Sequence, residues 1–297
     1  MRRLLRLIAP LLLLAAAPPG RQAHPALWKL SDADTTIWLL GTIHVLPAGY
    51  RWRDATIDAA IADSQSLTLE TVLDQDPAAV AKLLLTIGRA NGLPPLADRV
   101  PKAKRAELAA LIRASGFPAP VLDGMKSWAA AVVLTGAALR QIDLGAGAEG
   151  VEPQLTKDFR SAGKPVDGLE TPAQQLGFFD MLPESTQRSF LTATLEGPAK
   201  ARAEFRDMLS AWSRGDVAAL ARAFAHDPEF TPELRAVLID HRNAAWAATL
   251  QHRLERPGTS FVAVGAGHLA GHGSLIELLR ARGLNVQRVQ RVTSPRP

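Results

Sequence analysis

T35-T-I-W-L-L-G-T-I-H44 is an apolar run that stops at Gly41 and presents His44. The same design returns late in the chain as S260-F-V-A-V-G-A-G-H268, which stops at Gly265 and presents His268. Short apolar runs bounded by glycine read as buried strands. A glycine ahead of each histidine would let the backbone turn sharply and approach a ligand closely. Working outward, residues 27–30 precede the first run across S-D-A-D, which predicts a hairpin of short edge strand, polar turn and buried strand. Residues 66–70 and 164–169 read as further strands, closing on Glu70 and reaching Glu170, and residues 284–292 as a terminal strand.

Between these strands the apolar spacing is helical. Residues 54–64 place Ile57 and Ile61 on one face, and Asp76-Pro77 supplies an N-cap and first-turn proline for a helix ending near residue 91. Residues 101–115, 125–142, 151–162, 173–182, 183–215, 232–256 and 274–282 also read as helical. Within 232–256, Leu234, Val237, Leu238, Ala245 and Ala248 form one stripe that includes His241. Arg242 and Asn243 lie beside a second stripe of Ile239, Trp246 and Leu250. Strands alternating with helices predict an α/β fold: a mainly parallel central sheet, flanking helices and a large helical insertion over about 76–145. In such sheets ligands bind beyond the carboxyl ends of the strands. His44, Glu70, Glu170 and His268 each stand at or just past such an end, so four strand ends could converge on one site.

Composition narrows the class. A chain of 297 residues, 47% hydrophobic and 21% charged, has ample material for a core. The pI of 9.9 overstates its basic character. Arg2, Arg3, Arg6 and Arg21 lie in the first 23 residues, which hold no acid, so without them the formal charge falls from +5 to +1. No basic stripe with interleaved aromatics suggests nucleic acid. The arginines, the apolar residues 4–17 and the small residues after them read as a signal peptide over 1–23, cleaved after Ala17 or Ala23. A periplasmic or secreted domain over 24–297 is therefore expected. No other segment approaches the ~18 apolar residues of a membrane helix, so no span is expected after signal removal. With no cysteine, disulfides, thiolate metal sites and a cysteine nucleophile are excluded.

Two neutral imidazoles with one or two carboxylates suit a divalent first-row metal such as zinc, manganese, iron or cobalt. Such an ion activates bound water while a spare carboxylate serves as base. The competing reading is structural: each histidine closes its strand on a backbone partner, and each glutamate is a surface or capping group. His272 could be a supporting ligand. Arg242 is either a surface charge or an anion contact. The chain holds no G-x-S-x-G, H-E-x-x-H or Walker sequence, and its glycine-rich turn at 145–150 lacks the Lys-Ser/Thr ending of a phosphate loop.

Taken together, L39-L-G-T-I-H44, L67-T-L-E70, G163-K-P-V-D-G-L-E-T171, R242-N-A-A-W246 and V264-G-A-G-H-L-A-G271 resemble the TraB/GumN family, which includes the Tiki-type metalloproteases. The resemblance runs from about residue 28 to 289. It implies an α/β fold related to the erythromycin-esterase and heme-binding ChaN-like group. It also implies a site on Gly41/His44 and Gly265/His268 with Glu70, Glu170, Arg242 and Asn243. Metal-dependent hydrolysis of a peptide or protein substrate, with manganese or cobalt, is the activity it implies. His44 and His268 with Glu70 or Glu170 would hold the metal, the remaining glutamate would act as base, and Arg242 would steady the oxyanion. Glu152 stands where an acid follows Gly-Val in the family, and no role follows for it. Two alternatives stay open: a heme or small-ligand carrier using His44 or His272 as axial ligand, and a scaffold that interacts with envelope proteins. The oligomeric state does not follow from the sequence.

Overall fold

The computed structural model describes residues 22–73, 76–144, 148–225 and 231–290. The expected signal segment through residue 21, His226, Val292 and part of the glycine-rich turn lie outside these. Six strands form one sheet: β1 Leu27–Ser31, β2 Thr35–Thr42, β3 Ser66–Thr71, β4 Val166–Glu170, β5 Gly258–Gly265 and β6 Val286–Arg288. Their order is β4-β3-β5-β2-β1-β6. Pairing is parallel from β4 through β3 and β5 to β2, and antiparallel from β2 to β1 and from β1 to β6. The α/β architecture with a mainly parallel sheet is thus as expected. One detail differs: β1 is not the edge strand, because β6 covers it. β6 is shorter than the predicted 284–292: its register with β1 covers three residues, and Asn285 and Val289 on either side each add one backbone hydrogen bond to β1.

The helices are α1 Ala55–Asp63, α2 Pro77–Gly88, α3 Arg105–Ser115, α4 Ala119–Asp123, α5 Ser127–Gln141, α6 Val151–Ser161, α7 Pro172–Asp180, α8 Glu184–Ala193, α9 Pro198–Ser213, α10 Val217–Ala225, α11 Pro232–Arg235, α12 His241–Arg253 and α13 Leu275–Ala281. The predicted helix over 183–215 is in fact two, because Gly197 caps and Pro198 opens α9. Helices cover both faces of the central strands, and the strand alternation sorts residues between them. Leu40, Phe261 and Ala263 face a core with Ile57, Phe159 and Trp212. Ile37, Leu39, Val262 and Val264 face the other, with Trp246, Leu250 and Leu279. The insertion carries a third core around Leu96, Trp128 and Leu134, completed by Leu191 of α8 and the adjacent Leu195. Among the described residues no helix is long and apolar enough to cross a membrane.

The segment from Pro232 to Arg253 is not one straight α-helix. Residues Ala236–Asp240 form a π turn, in which the His241 N–H donates to the Ala236 carbonyl five residues back. In a regular helix Leu234 and Arg242 would stand roughly 80° apart around the axis; the wider turn takes back much of that rotation. Leu234, Arg242, Trp246 and Leu250 are all buried, while His241, Ala245 and Ala248 of the expected first stripe are exposed. The π turn therefore selects which stripe meets the sheet.

Candidate active site

Parallel pairing places Gly41 beside Val264 and Thr42 beside Gly265, so both Gly-x-x-His segments leave the sheet side by side. His44 follows β2 by two residues, and His268 sits on a short 3-10 turn, Ala266–Leu269, after β5. Glu70 and Glu170 close the neighbouring strands β3 and β4. Neither motif glycine has the left-handed backbone that a sharp turn would demand. Their purpose is close approach. A Cβ on Gly41 would lie 3.0 Å from Ala266 Cα, and one on Gly265 would lie 3.0 Å from Glu70 Oε1, 3.7 Å from His268 Cδ2 and 3.8 Å from His44 Nε2. Gly265 thus marks the point where both histidines and Glu70 converge.

Arg242 is the hub of the buried half. Its Nε donates to Glu170 Oε1 at 2.9 Å, and its Nη2 to Glu170 Oε2 at 2.9 Å and to Glu70 Oε2 at 2.6 Å. Its Nη1 donates to the Leu238 carbonyl of the π turn at 3.0 Å and to His268 Nε2 at 3.2 Å. All five guanidinium N–H groups are engaged. The guanidinium also lies 4.6 Å from the Trp246 ring centroid. The surface-charge reading of Arg242 is therefore wrong: it is 7% exposed. An oxyanion contact would require it to surrender one of these bonds.

His268 is held on both nitrogens. Its Nδ1–H donates to Asn243 Oδ1 at 2.7 Å, and its Nε2 lone pair accepts from Arg242. Burial lowers its pKa to about 4, with Glu70 opposing and Arg242 and His44 adding to the shift, so the ring is neutral. Asn243 Nδ2 donates to the Gly273 carbonyl at 2.9 Å, which fixes the amide that fixes the ring. Glu70 is ionised. Burial works to raise it, but the charges of Arg242 and His44, with the Gly265 N–H at 2.6 Å, outweigh that and hold it below the usual carboxylate range. Gln175 Nε2 of α7 donates to Glu70 Oε2 at 3.1 Å.

His44 forms the open half. Its ring is 69% exposed, and its Nδ1 lies 2.6 Å from Glu152 Oε1 on the first turn of α6. The Thr42 hydroxyl donates to the same oxygen at 2.6 Å. The hydrogen bond to Glu152 raises His44 to about 9; partial desolvation opposes this, the charges of Glu152 and Glu70 assist and Arg242 opposes. Burial would raise Glu152, yet its bonds from His44 and Thr42 hold it down. Its other oxygen, Oε2, is buried and has no hydrogen-bond partner among the described residues. Gly150 makes this contact possible: a Cβ there would fall 2.1 Å from the His44 carbonyl oxygen, and the Val151 N–H donates to Ile43 O at 3.1 Å.

The structure thus brings together every residue singled out above except His272, whose side chain is fully exposed and faces Glu277 at 3.4 Å. No role for Glu152 follows from the sequence, and nothing in it points to Thr42 or Gln175. The one signal was the Gly-Val-Glu at the start of α6. Among the described residues, no three His, Asp or Glu side chains are arranged to hold a metal ion. The reason is Arg242, whose guanidinium takes up both glutamates and the His268 lone pair. The expected ligand set does not fit a divalent ion in this arrangement.

A parallel sheet with histidines and carboxylates at its carboxyl edge, opening on a groove, defines an α/β protein with an acid–base cleft. The chain belongs to the TraB/PrgY/gumN family, whose profile matches residues 26–288. It is 26% identical over 273 residues to the uncharacterized protein YbaP of Escherichia coli (strain K12), covering 90% of this chain and 96% of that one. It is 26% identical over 249 residues to the uncharacterized protein YbaP of Shigella flexneri, covering 82% and 87%. No solved structure matches it.

Proposed function

We propose that the chain is an exported hydrolase of peptide bonds working through the His44–Glu152 pair beside Glu70. One observation carries the reading: His44 is fixed through Nδ1 by a half-buried carboxylate, while its Nε2 lies within 4 Å of the same point as Glu70 Oε1. This is the base–orienter arrangement expected of a proton-transferring histidine. With a pKa of about 9, the resting ring is an imidazolium at neutral pH. In hydrolysis the ionised Glu70 orients the attacking water, the water oxygen bonds to the carbonyl carbon, and the C–N bond breaks. His44 Nε2 gives its proton to the departing nitrogen, and the water's proton returns to the imidazole.

His44→Ala and Glu152→Gln should each lower kcat/KM on a peptide library by at least ~100-fold while the circular dichroism spectrum is unchanged. Unaltered cleavage by His44→Ala would overturn the assignment. Manganese or cobalt, the cofactors implied by the family resemblance, or the zinc that the residue types also suit, would have to displace Arg242; equilibrium dialysis with Mn2+ separates the two schemes. The heme reading loses His272 as an axial ligand.

Export supplies a second test. Ala23 is fully buried, its N–H donates to Arg51 O at 3.0 Å, and His24 N–H donates to Ser213 O at 2.6 Å. Cleavage after Ala17 would leave this anchored segment on the mature chain, whereas cleavage after Ala23 would remove part of it. N-terminal sequencing of protein from the cell envelope should begin at Pro18; recovery of an unprocessed chain would count against export.

A further inference from the structure

Beyond His44 the cleft continues as a groove of about 720 Å3, within the range of small-ligand sites. One wall is a face of α6, whose rows Glu152, Thr156, Arg160 and Pro153, Lys157, Ser161 follow four-residue spacing, while Val151, Leu155 and Phe159 pack into the core. The facing wall is apolar, with Leu69, Val72 and Leu73 from the end of β3 and beyond, and Leu73 is 54% exposed. The carboxylates at the His44 end are already engaged, Glu70 by Arg242 and Glu152 by His44. Lys157 and Arg160 are exposed and, among the described residues, have no carboxylate partner. The groove therefore carries an uncompensated positive charge at its far end and a buried, unpartnered acceptor, Glu152 Oε2, at its near end.

Lys157 and Arg160 follow Glu152 by one and a half to a little over two helical turns, placing them roughly 8 and 12 Å along the axis. An extended peptide covers about 3.3 Å per residue. We propose that the groove binds an extended peptide whose carboxylate, from its C-terminus or an acidic side chain, pairs with Lys157 and Arg160 two to four residues from the bond at His44. The apolar wall takes the intervening side chains. The proposal rests on the hydrolase reading for the position of the reacting bond, but not for the binding itself.

The test uses three N-terminally fluorescein-labelled probes: tetra-alanine, its C-terminal amide, and that amide with glutamate at the third position. Anisotropy on the wild-type chain reads binding, and chromatography of the same samples reads cleavage. At least one carboxylate-bearing probe should bind ten-fold or more tighter than the neutral amide, and which one does so identifies the source. In Lys157→Ala/Arg160→Ala the preference should disappear, with KM raised and kcat nearly unchanged. In Lys157→Glu/Arg160→Glu it should reverse, the neutral amide binding tighter than either carboxylate-bearing probe. Equal binding of all three probes by the wild type would overturn the subsite, whatever the cleavage result. Selective binding without cleavage would leave the subsite standing and count against the hydrolase.

Discussion

His44 and Arg242 show how far a residue's surroundings outrun its identity. His44 has its pKa raised from 6.5 to about 9 by Glu152. A raised folded-state pKa contributes stability that is fully present below about 6.5 and lost as pH rises through about 9. His268 runs the other way: lowered to about 4, it leaves the folded state less stable as pH falls from 6.5 toward 4. An NMR titration of His44 should therefore show a midpoint near 9 that returns toward 6.5 in Glu152→Gln; a wild-type midpoint at 6.5 would refute the pairing. At Arg242, replacement by methionine strands two carboxylates that are each under 10% exposed. Loss of one partner of a buried ion network costs about 3–5 kcal/mol, measurable by urea denaturation. The same variant frees Glu70, Glu170 and His268, so Mn2+ should raise its Tm more than that of the wild type. The residue types at this site were legible from the strand-end pattern. The arginine's place among them was not, because charge alone cannot say whether a guanidinium faces water or two carboxylates.

At the scale of elements, placement depends on two devices, the docking of α6 and the π turn. Gly150 lies so close to the His44 carbonyl that a side chain must push α6 away from β2. Gly150→Ala should lower Tm and at the same time bring the His44 pKa down toward 6.5, since Glu152 moves with the helix. A normal His44 midpoint near 9 in that variant would show that the contact is not what positions Glu152. The strand–hairpin pattern, the cap at Asp76 and the start of α6 could be read from local chemistry; the cap at Asp54, which the helix predicted over 54–64 includes, shows only in the structure. The π turn could not, because its effect is to rotate the following stripe, and periodicity assumes a constant turn. A constant turn puts His241 on the apolar stripe, yet it is exposed.

Among the described residues the buried apolar side chains divide into three cores, the third of them formed by the insertion with Leu191 and Leu195. Leu134→Ala, at a fully buried position, should cost about 2–5 kcal/mol. Hydrogen exchange should speed up in α3 and α5 more than in β2 and β5; equal acceleration everywhere would show that the insertion and the sheet unfold as one unit. The sequence by itself determined the alternation of strands and helices, the parallel character of the sheet and the strand-end positions of His44, Glu70, Glu170 and His268. These follow from local periodicity and, at His44 and His268, from the glycine that ends the apolar run. Only the tertiary structure decided what those residues face. It set Glu152 against His44, Arg242 against Glu70 and Glu170, and two unpaired cations along the groove, because partners 72 to 172 residues apart meet only when the sheet is assembled.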